Sequence, residues 1–337
     1  MKFGTFLFTN ADDKTRDHLF IEETLADARE SEELGMDAVW LAEHHFDGTL
    51  AYVDPVSFAA ALSTATKRIK IGTAVIQAAL HHPLRVAAQL ALIDHLSQGR
   101  LIAGVGKGTL YNPYEYEAYG VDQETVSERY EEFIEILLKA WTGERVVHHG
   151  KFWNFEIPAV RPLPYTKPHP VLVRATQSES SVVAQAKTAR PFLMMGSDDM
   201  IKKNVELVKT TMHQSGYDEA KIADTLDQSW MRKIVTVADS DAEAEDVIAR
   251  AIADTLSFFE RENIPSSFIK MRHGENRVPP FFVHGKPETV AEKLRAAAAT
   301  GIGGMILHFR YGVMPHAAGR NSLHLFAKHV APALRSA

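Results

Sequence analysis

Glu43, His44 and His45 stand together in "LAEHHF" (41–46), directly after the apolar run "DAVWL" (37–41). A carboxylate beside two imidazoles suits proton transfer near neutral pH, because an imidazole can both give and take a proton there. A second pair, His81 and His82, follows in "ALHHP". Together the five groups are also an oxygen and nitrogen ligand set for a metal. Two features place metal binding second. Adjacent residues on extended chain point to opposite sides, and no H-E-x-x-H pattern occurs. The expectation is acid–base chemistry with no metal.

Two other stretches carry chemistry. "GVGKG" (104–108) fits neither the G-x-x-x-x-G-K-[ST] loop nor G-x-G-x-x-G with a ribose-binding acid. Its glycines would let a flat ring approach the backbone, and Tyr111, Tyr114, Tyr116 and Tyr119 could wall that cavity. The other reading is a loop packed by its own tyrosines. "RATQSESS" (174–181) places hydroxyls at a helix start near Arg174, which suits a phosphate monoester; taken alone it equally reads as a plain serine cap.

The elements that must position these groups alternate between short apolar strands and helical patterns. Strands are expected at 2–8, 37–43, 68–76, 100–106, 169–175, 191–195, 232–238 and 304–309. Val86, Leu90 and Ile93 mark one intervening helix; Phe133, Ile134, Leu137, Leu138 and Trp141 mark another. Strands apolar nearly throughout, each followed by a helix, point to a parallel sheet covered on both faces. Eight such units predict a (β/α)8 barrel, with a doubly wound open sheet as the alternative. In a barrel the active site lies at the C-terminal strand ends, where Glu43-His44-His45, Gln77, "GVGKG", Arg174 and His308 all fall.

The chain is read as a single domain over 1–337, with a hairpin inserted at 144–165 and a lid or a plain loop at 262–284. With 45% hydrophobic and 24% charged residues it has the composition of a soluble globular enzyme. A net charge of -6 and the lack of a basic, aromatic-interleaved block argue against nucleic-acid binding. The sequence contains no cysteine, which rules out disulfides and thiolate chemistry. "MKFGTFLFTN" reads as a first strand rather than a signal peptide, and no apolar run is long enough to span a membrane, so a cytoplasmic protein is expected.

At this level of detail the chain resembles the bacterial luciferase-like flavin monooxygenases, in particular the alkanal-oxidising luciferase subunits. The resemblance rests on "MKFGTFLFTN", on "GMDAVWLAEHHF", on the block from "KRIKIGTAVI" through "LIAGVGKG", and more loosely on "LVRATQSESSVVAQA", "HGKPETVAEKL" and "TGIGGMILHF". It spans nearly the whole chain, is specific over 35–108 and is weak over 200–284.

The resemblance implies a (β/α)8 barrel with inserts that binds reduced FMN or, in one branch, F420. It implies that His44 is the catalytic histidine beside the flavin ring, with Glu43 on the same wall. A cis non-proline peptide is implied at Ala74-Val75, under the ring. Lys107, Arg129, Ser178, Ser180 and Ser181 are implied at the flavin phosphate or ribityl chain, and Arg174, read above from its place beside the hydroxyls, is expected to bind the cofactor with them. Gly106 stands where luciferases carry a reactive cysteine, a change that removes the thiol and leaves more room. It puts light emission and long-chain aldehyde oxidation in doubt.

The leading expectation is a two-component monooxygenase. It takes FMNH2 from a separate NAD(P)H:flavin reductase, uses O2 through a flavin C4a-hydroperoxide, and oxidises a small organic substrate by aldehyde oxidation, Baeyer–Villiger insertion or hydroxylation. Two alternatives remain: an F420-dependent hydride-transfer oxidoreductase and a non-catalytic flavin-binding partner subunit. Family members pair as homodimers, which is the expected assembly.

Overall fold

The computed structural model describes residues 1–108, 112–176, 178–264 and 277–335. The strands are β1 (Lys2–Phe6), β2 (Ala38–Leu41), β3 (Lys70–Thr73), β4 (Ile76–Gln77), β5 (Leu101–Gly106), β6 (Val146–His149), β7 (Asn154–Ile157), β8 (Val171–Thr176), β9 (Phe192–Met194), β10 (Trp230–Val237), β11 (Phe282–Gly285) and β12 (Gly304–His308). Every residue of β2, β5 and β12 is buried, which an apolar strand tolerates only in a sheet covered on both faces.

The chain divides into two compact units. One comprises residues 1–40, 47–51 and 176–337, the other 41–46 and 52–175. In the first, parallel strands run β9–β10–β12–β1–β2, with Trp230 opposite Gly304 and Gly4 opposite Ala38 in the ladders. In the second, β3 and β4 pair with β5, and β5 pairs with β8, again in parallel. These eight barrel strands, β3 and β4 counting as one, make the fold a (β/α)8 barrel.

All eight expected barrel strands are present, most of them shorter than expected. The third is interrupted between Thr73 and Ile76. β11 begins within the stretch 262–284 and pairs in parallel with β10. Residues 265–276 of that stretch lie outside the described residues. The β6–β7 antiparallel hairpin occupies 146–157.

Two glycines shape the core of the first unit. A Cβ on Gly4 would sit 2.7 Å from Trp40 Nε1, and one on Gly304 would sit 2.3 Å from Trp230 Cε3. The two indoles fill that room edge-on, with centroids 5.0 Å apart. In the second unit, helix α5 (Val126–Ala140) buries Val126, Tyr130, Phe133, Ile134 and Leu137, an i, i+4, i+7, i+8, i+11 stripe. Trp141 ties its end to the preceding helical layer by donating to the Ala87 carbonyl at 3.0 Å.

Candidate active site

The second unit holds Glu43, His44, His45, His81, Lys107 and Arg174. Glu43 follows β2 directly and is 2% exposed. Its Oε1 accepts from His45 Nε2 at 2.7 Å and from His81 Nε2 at 2.6 Å, and its Oε2 accepts from the Gln77 backbone N–H at 2.7 Å. Burial pushes the carboxyl up. The hydrogen bonds from His45 and His81, the His81 charge and the Gln77 N–H together outweigh that and hold it below the ordinary value. His81 shifts the other way. Burial pushes its imidazole down, but the Glu43 hydrogen bond and charge, with Asp54 behind them, raise it past that opposition. Both shifts favour the charged forms, so each of Glu43 and His81 stabilises the other as an ion. His45 Nδ1 lies 3.4 Å from the Tyr119 hydroxyl, so its two ring nitrogens fit a donor at Nε2 and an acceptor at Nδ1.

A second carboxylate completes the network. Glu115 lies in the first turn of the short helix α4 (Pro113–Ala118) and its side chain is fully buried. Its Oε1 accepts from the His45 backbone N–H at 2.8 Å and lies 3.2 Å from His44 Nδ1, while its Oε2 accepts from Gln77 Nε2 at 2.9 Å. Burial raises this carboxyl too, and the hydrogen bonds from His44, His45 and Gln77 again prevail to lower it. Gln77 Nε2 also donates to the Glu43 carbonyl at 3.1 Å, so one amide joins both carboxylates. The His44 side chain is 19% exposed and that of His81 24%, so both carboxylates are buried while two of their imidazole partners reach the surface.

Gln77 stands at a strand end, as the sequence places it, whereas Glu115 carries no such signal. Glu115 sits among tyrosines at a helix start, where an acid reads as a partner for the helix dipole. The tyrosines divide. Tyr111 lies outside the described residues. Tyr116 is buried, with its hydroxyl donating to the Lys107 carbonyl at 3.5 Å. Tyr119 stands half-exposed, edge-on to His45, and forms an aromatic surface with Phe46, which is 60% exposed. His82 packs near Trp153 and Phe155 of the hairpin region, away from this network. Among the described residues no group of three or more His, Asp and Glu side chains could hold a metal ion.

The Ala74-Val75 peptide is cis, and the Ala74 N–H donates to the Leu41 carbonyl at 2.6 Å. The glycines of "GVGKG" serve this segment. A Cβ on Gly104 would lie 1.7 Å from the Thr73 carbonyl oxygen, and one on Gly106 would lie 2.5 Å from Val75 Cγ2. One on Gly108 would lie 2.5 Å from Gln77 Oε1 and 2.2 Å from the Tyr116 hydroxyl. Alternate residues of β5 and its continuation thus meet alternate residues 73, 75 and 77. Thr73 Oγ1 closes the approach, accepting from the Gly104 N–H at 2.9 Å and donating to the Gly104 carbonyl at 2.8 Å. The room expected at Gly106 is occupied by Val75, so that glycine admits a neighbouring side chain rather than opening space for a ligand.

Lys107 and Arg174 form a cationic pair. Lys107 Nζ donates to Ser127 Oγ at 2.8 Å. Buried Arg174 donates to Glu131 at 2.9 Å and lies over the Tyr130 ring at 4.2 Å. Burial lowers the Lys107 ammonium, and the Arg174 charge lowers it further against the opposing pull of Glu131. Glu131 itself is 61% exposed, a weak counter-charge for two cations. Arg129 does not join this pair. It stands two residues beyond Ser127, about 200° round the helix axis, and its guanidinium lies 4.4 Å from the Phe152 ring centroid. Its Nε donates to Thr125 Oγ1 at 3.1 Å.

The first unit holds the three serines and His308. Ser178 caps helix α6 (Glu179–Ala186), accepting from the Ser181 N–H at 3.3 Å. Ser180 Oγ lies 3.1 Å from Ser178 Oγ, and Ser181 Oγ donates to the Ser178 carbonyl at 2.7 Å. Their geometry is that of a serine N-cap. His308, at the end of β12, donates from Nε2 to the Phe8 carbonyl at 2.6 Å and accepts at Nδ1 from Arg232 at 3.0 Å. Burial and the Arg232 charge press its pKa down to about 3. It is a neutral structural imidazole rather than a base.

Residues 1–303 match the family model for luciferase-like monooxygenase. A relative from Acinetobacter baylyi, the oxygenase component of flavin-dependent trigonelline monooxygenase, is 29% identical over 54% of this chain and 50% of its own. The chain spans about half the length of the curated relatives it matches. Among solved structures, a monooxygenase from Streptomyces bottropensis superposes with a TM-score of 0.83 at 26% identity, over 98% of this chain and 99% of that one. The oxygenating constituent of 3,6-diketocamphane monooxygenase from Pseudomonas putida, solved with FMN, superposes with a TM-score of 0.81 at 19% identity, over 98% of each chain, a likeness of fold. The chain belongs to the luciferase-like monooxygenase family.

Proposed function

We propose that this chain is the oxygenase component of a two-component flavin monooxygenase, receiving reduced FMN from a separate NAD(P)H:flavin reductase. The observation that carries the reading is the coincidence, in one unit, of a partly exposed imidazole on a buried carboxylate network, the close packing of Val75 on Gly106 and the Lys107–Arg174 cation pair. Two cations against one exposed carboxylate have the donor chemistry a phosphate monoester requires. Lys107 and Arg174 would hold the FMN phosphate. Ala74 and Val75 would lie against the ring, with Gly106 supporting them from behind.

Bound reduced flavin would supply two electrons to O2, so that one oxygen atom enters the substrate and the other leaves as water. The chain's own part is to place His44 where it can give and take protons, and to keep water from the buried side of the site. Glu43 acts in this reading as an anionic anchor, committed to His45, His81 and Gln77. Half-exposed Tyr119 and exposed Phe46 offer an apolar, aromatic surface for a small organic substrate.

The test is turnover under ¹⁸O2 with FMN, an NAD(P)H:flavin reductase and a panel of aldehydes, ketones and N-heteroaromatic compounds. One ¹⁸O atom per product molecule supports the reading. Product that forms under anaerobic conditions without label would overturn it in favour of hydride transfer.

A further inference from the structure

We propose that Glu115 is the positioning residue of this site, holding His44 with its proton on Nδ1 so that Nε2 is the nitrogen that exchanges protons with the bound reactants. The proposal rests on the reading of His44 as the proton carrier and adds the group that sets its tautomer.

Glu115 cannot swing away. Its Oε1 accepts the His45 backbone N–H at 2.8 Å, a donor fixed to the chain, and its Oε2 accepts from Gln77 Nε2 at 2.9 Å. Gln77 is pinned in turn by Glu43, through its backbone N–H at 2.7 Å and its Nε2 to the Glu43 carbonyl at 3.1 Å. The order of support therefore runs from Glu43 to Gln77 to Glu115 to His44. The groups facing Glu115 come from three segments: His44 and His45 after β2, Gln77 on β4, and Asn112 before α4, whose Nδ2 lies 3.4 Å from Oε1 and also 3.4 Å from His44 Nδ1, a neutral donor farther from that nitrogen than the carboxylate oxygen.

An anionic oxygen 3.2 Å from His44 Nδ1 favours a proton on that nitrogen, and a charge-assisted bond of this kind outweighs a neutral alternative. Which ring nitrogen carries the proton is decided by the bond the other makes. A fixed carboxylate behind an imidazole selects the reacting nitrogen and keeps the ring from rotating, at no cost during turnover. Glu43 stands nearer in sequence but is already bonded to two other imidazoles.

The experiment is ¹⁵N correlation spectroscopy of the full chain carrying ¹⁵N-histidine, about two pH units above the ordinary imidazole value of ~6.5. The His44 signals are assigned by their loss in His44→Gln. The expected result is a protonated Nδ1 and a bare-type Nε2 for His44 in the wild type. In Glu115→Ala the tautomer shifts to Nε2–H, whereas Glu115→Gln, which keeps a carbonyl acceptor, retains part of the Nδ1–H form. An Nε2–H tautomer in the wild type overturns the proposal, as does an unchanged Nδ1–H tautomer in folded Glu115→Ala. If Glu115→Ala does not fold, the wild-type tautomer and the Glu115→Gln spectrum still decide. Reduced-FMN titration runs alongside. Loss of FMN binding in the wild type would sink the flavin reading while leaving the tautomer result to stand or fall by itself. With both intact, Glu115→Gln lowers product formation about tenfold while its reduced-FMN Kd stays within about twofold.

Discussion

The packing of Gly106 on Val75 makes a prediction with a worked size. A Cβ at Gly106 would lie 2.5 Å from Val75 Cγ2, more than 1 Å inside ordinary carbon–carbon contact of roughly 3.5–4.0 Å. The next neighbour, Ala175 Cβ, is at 3.7 Å and needs no movement, so the whole burden falls on Val75. Val75 is β-branched and stiff at χ1, so it cannot simply turn aside. Gly106→Ala should therefore cost about 1–3 kcal/mol as an overpacked site. Val75→Ala removes two methyl groups from a half-buried position, a loss of about 1 kcal/mol. In the double variant the new methyl enters the space the old ones left. The sum of the single costs should exceed the double by at least about 1 kcal/mol. Urea titration of the four proteins at one pH measures this, read from the midpoints at constant slope. Simple additivity would refute the packing argument, and a stabilised Gly106→Ala would mean that the site has the room expected from the sequence.

Three further outcomes follow from the same geometry. His81 sits above its ordinary value in the folded chain, so its contribution is fully present below about pH 6.5 and is lost as pH rises through its folded value; Glu43 sits below, so its contribution is present above about pH 4.5 and is lost as pH falls. The stability difference between wild type and Glu43→Gln should thus peak between those limits, at about 3 kcal/mol, and a difference flat from pH 4 to 9 would contradict the ion pair. Lys107→Ala should weaken reduced FMN about tenfold while leaving riboflavin, which lacks the phosphate, almost unchanged; an equal loss for both would remove Lys107 from the phosphate site. His44→Ala should slow product formation by roughly 10²–10⁴-fold with FMN affinity largely retained, and unchanged turnover would exclude it from the chemistry.

The barrel was legible because its strands are apolar on both faces, a pattern few other sheets produce. β11 was not, since Phe282–Gly285 lies next to "RVPP", where prolines signal loop. The interruption of the third strand carries no apolar signal either; 68–76 reads as one run, and only the resemblance marked Ala74-Val75. At the site, Glu43 and His44 stood out because they end a buried strand. Glu115 did not, because its role depends on α4 folding back over residues 43–45 and 77, a long-range contact that leaves no local pattern. Arg129 was proposed by resemblance alone, and its place became visible only from the helix turn: Ser127 and Glu131 face the cation pair while Arg129 faces the hairpin. The glycines were noticed for the right reason, close approach, but the approaching group is residues 73–77 of the same chain.

In the proposed function this barrel end binds reduced FMN through Lys107 and Arg174 with the ring against Ala74-Val75. Anaerobic titration of the purified chain with reduced FMN, with reduced F420 as comparison, tests it most directly. FMN should bind saturably, with a Kd in the micromolar range or tighter, more weakly to Lys107→Ala and in preference to F420. Tighter binding of F420, or FMN binding indifferent to Lys107 and Arg174 alike, would contradict it.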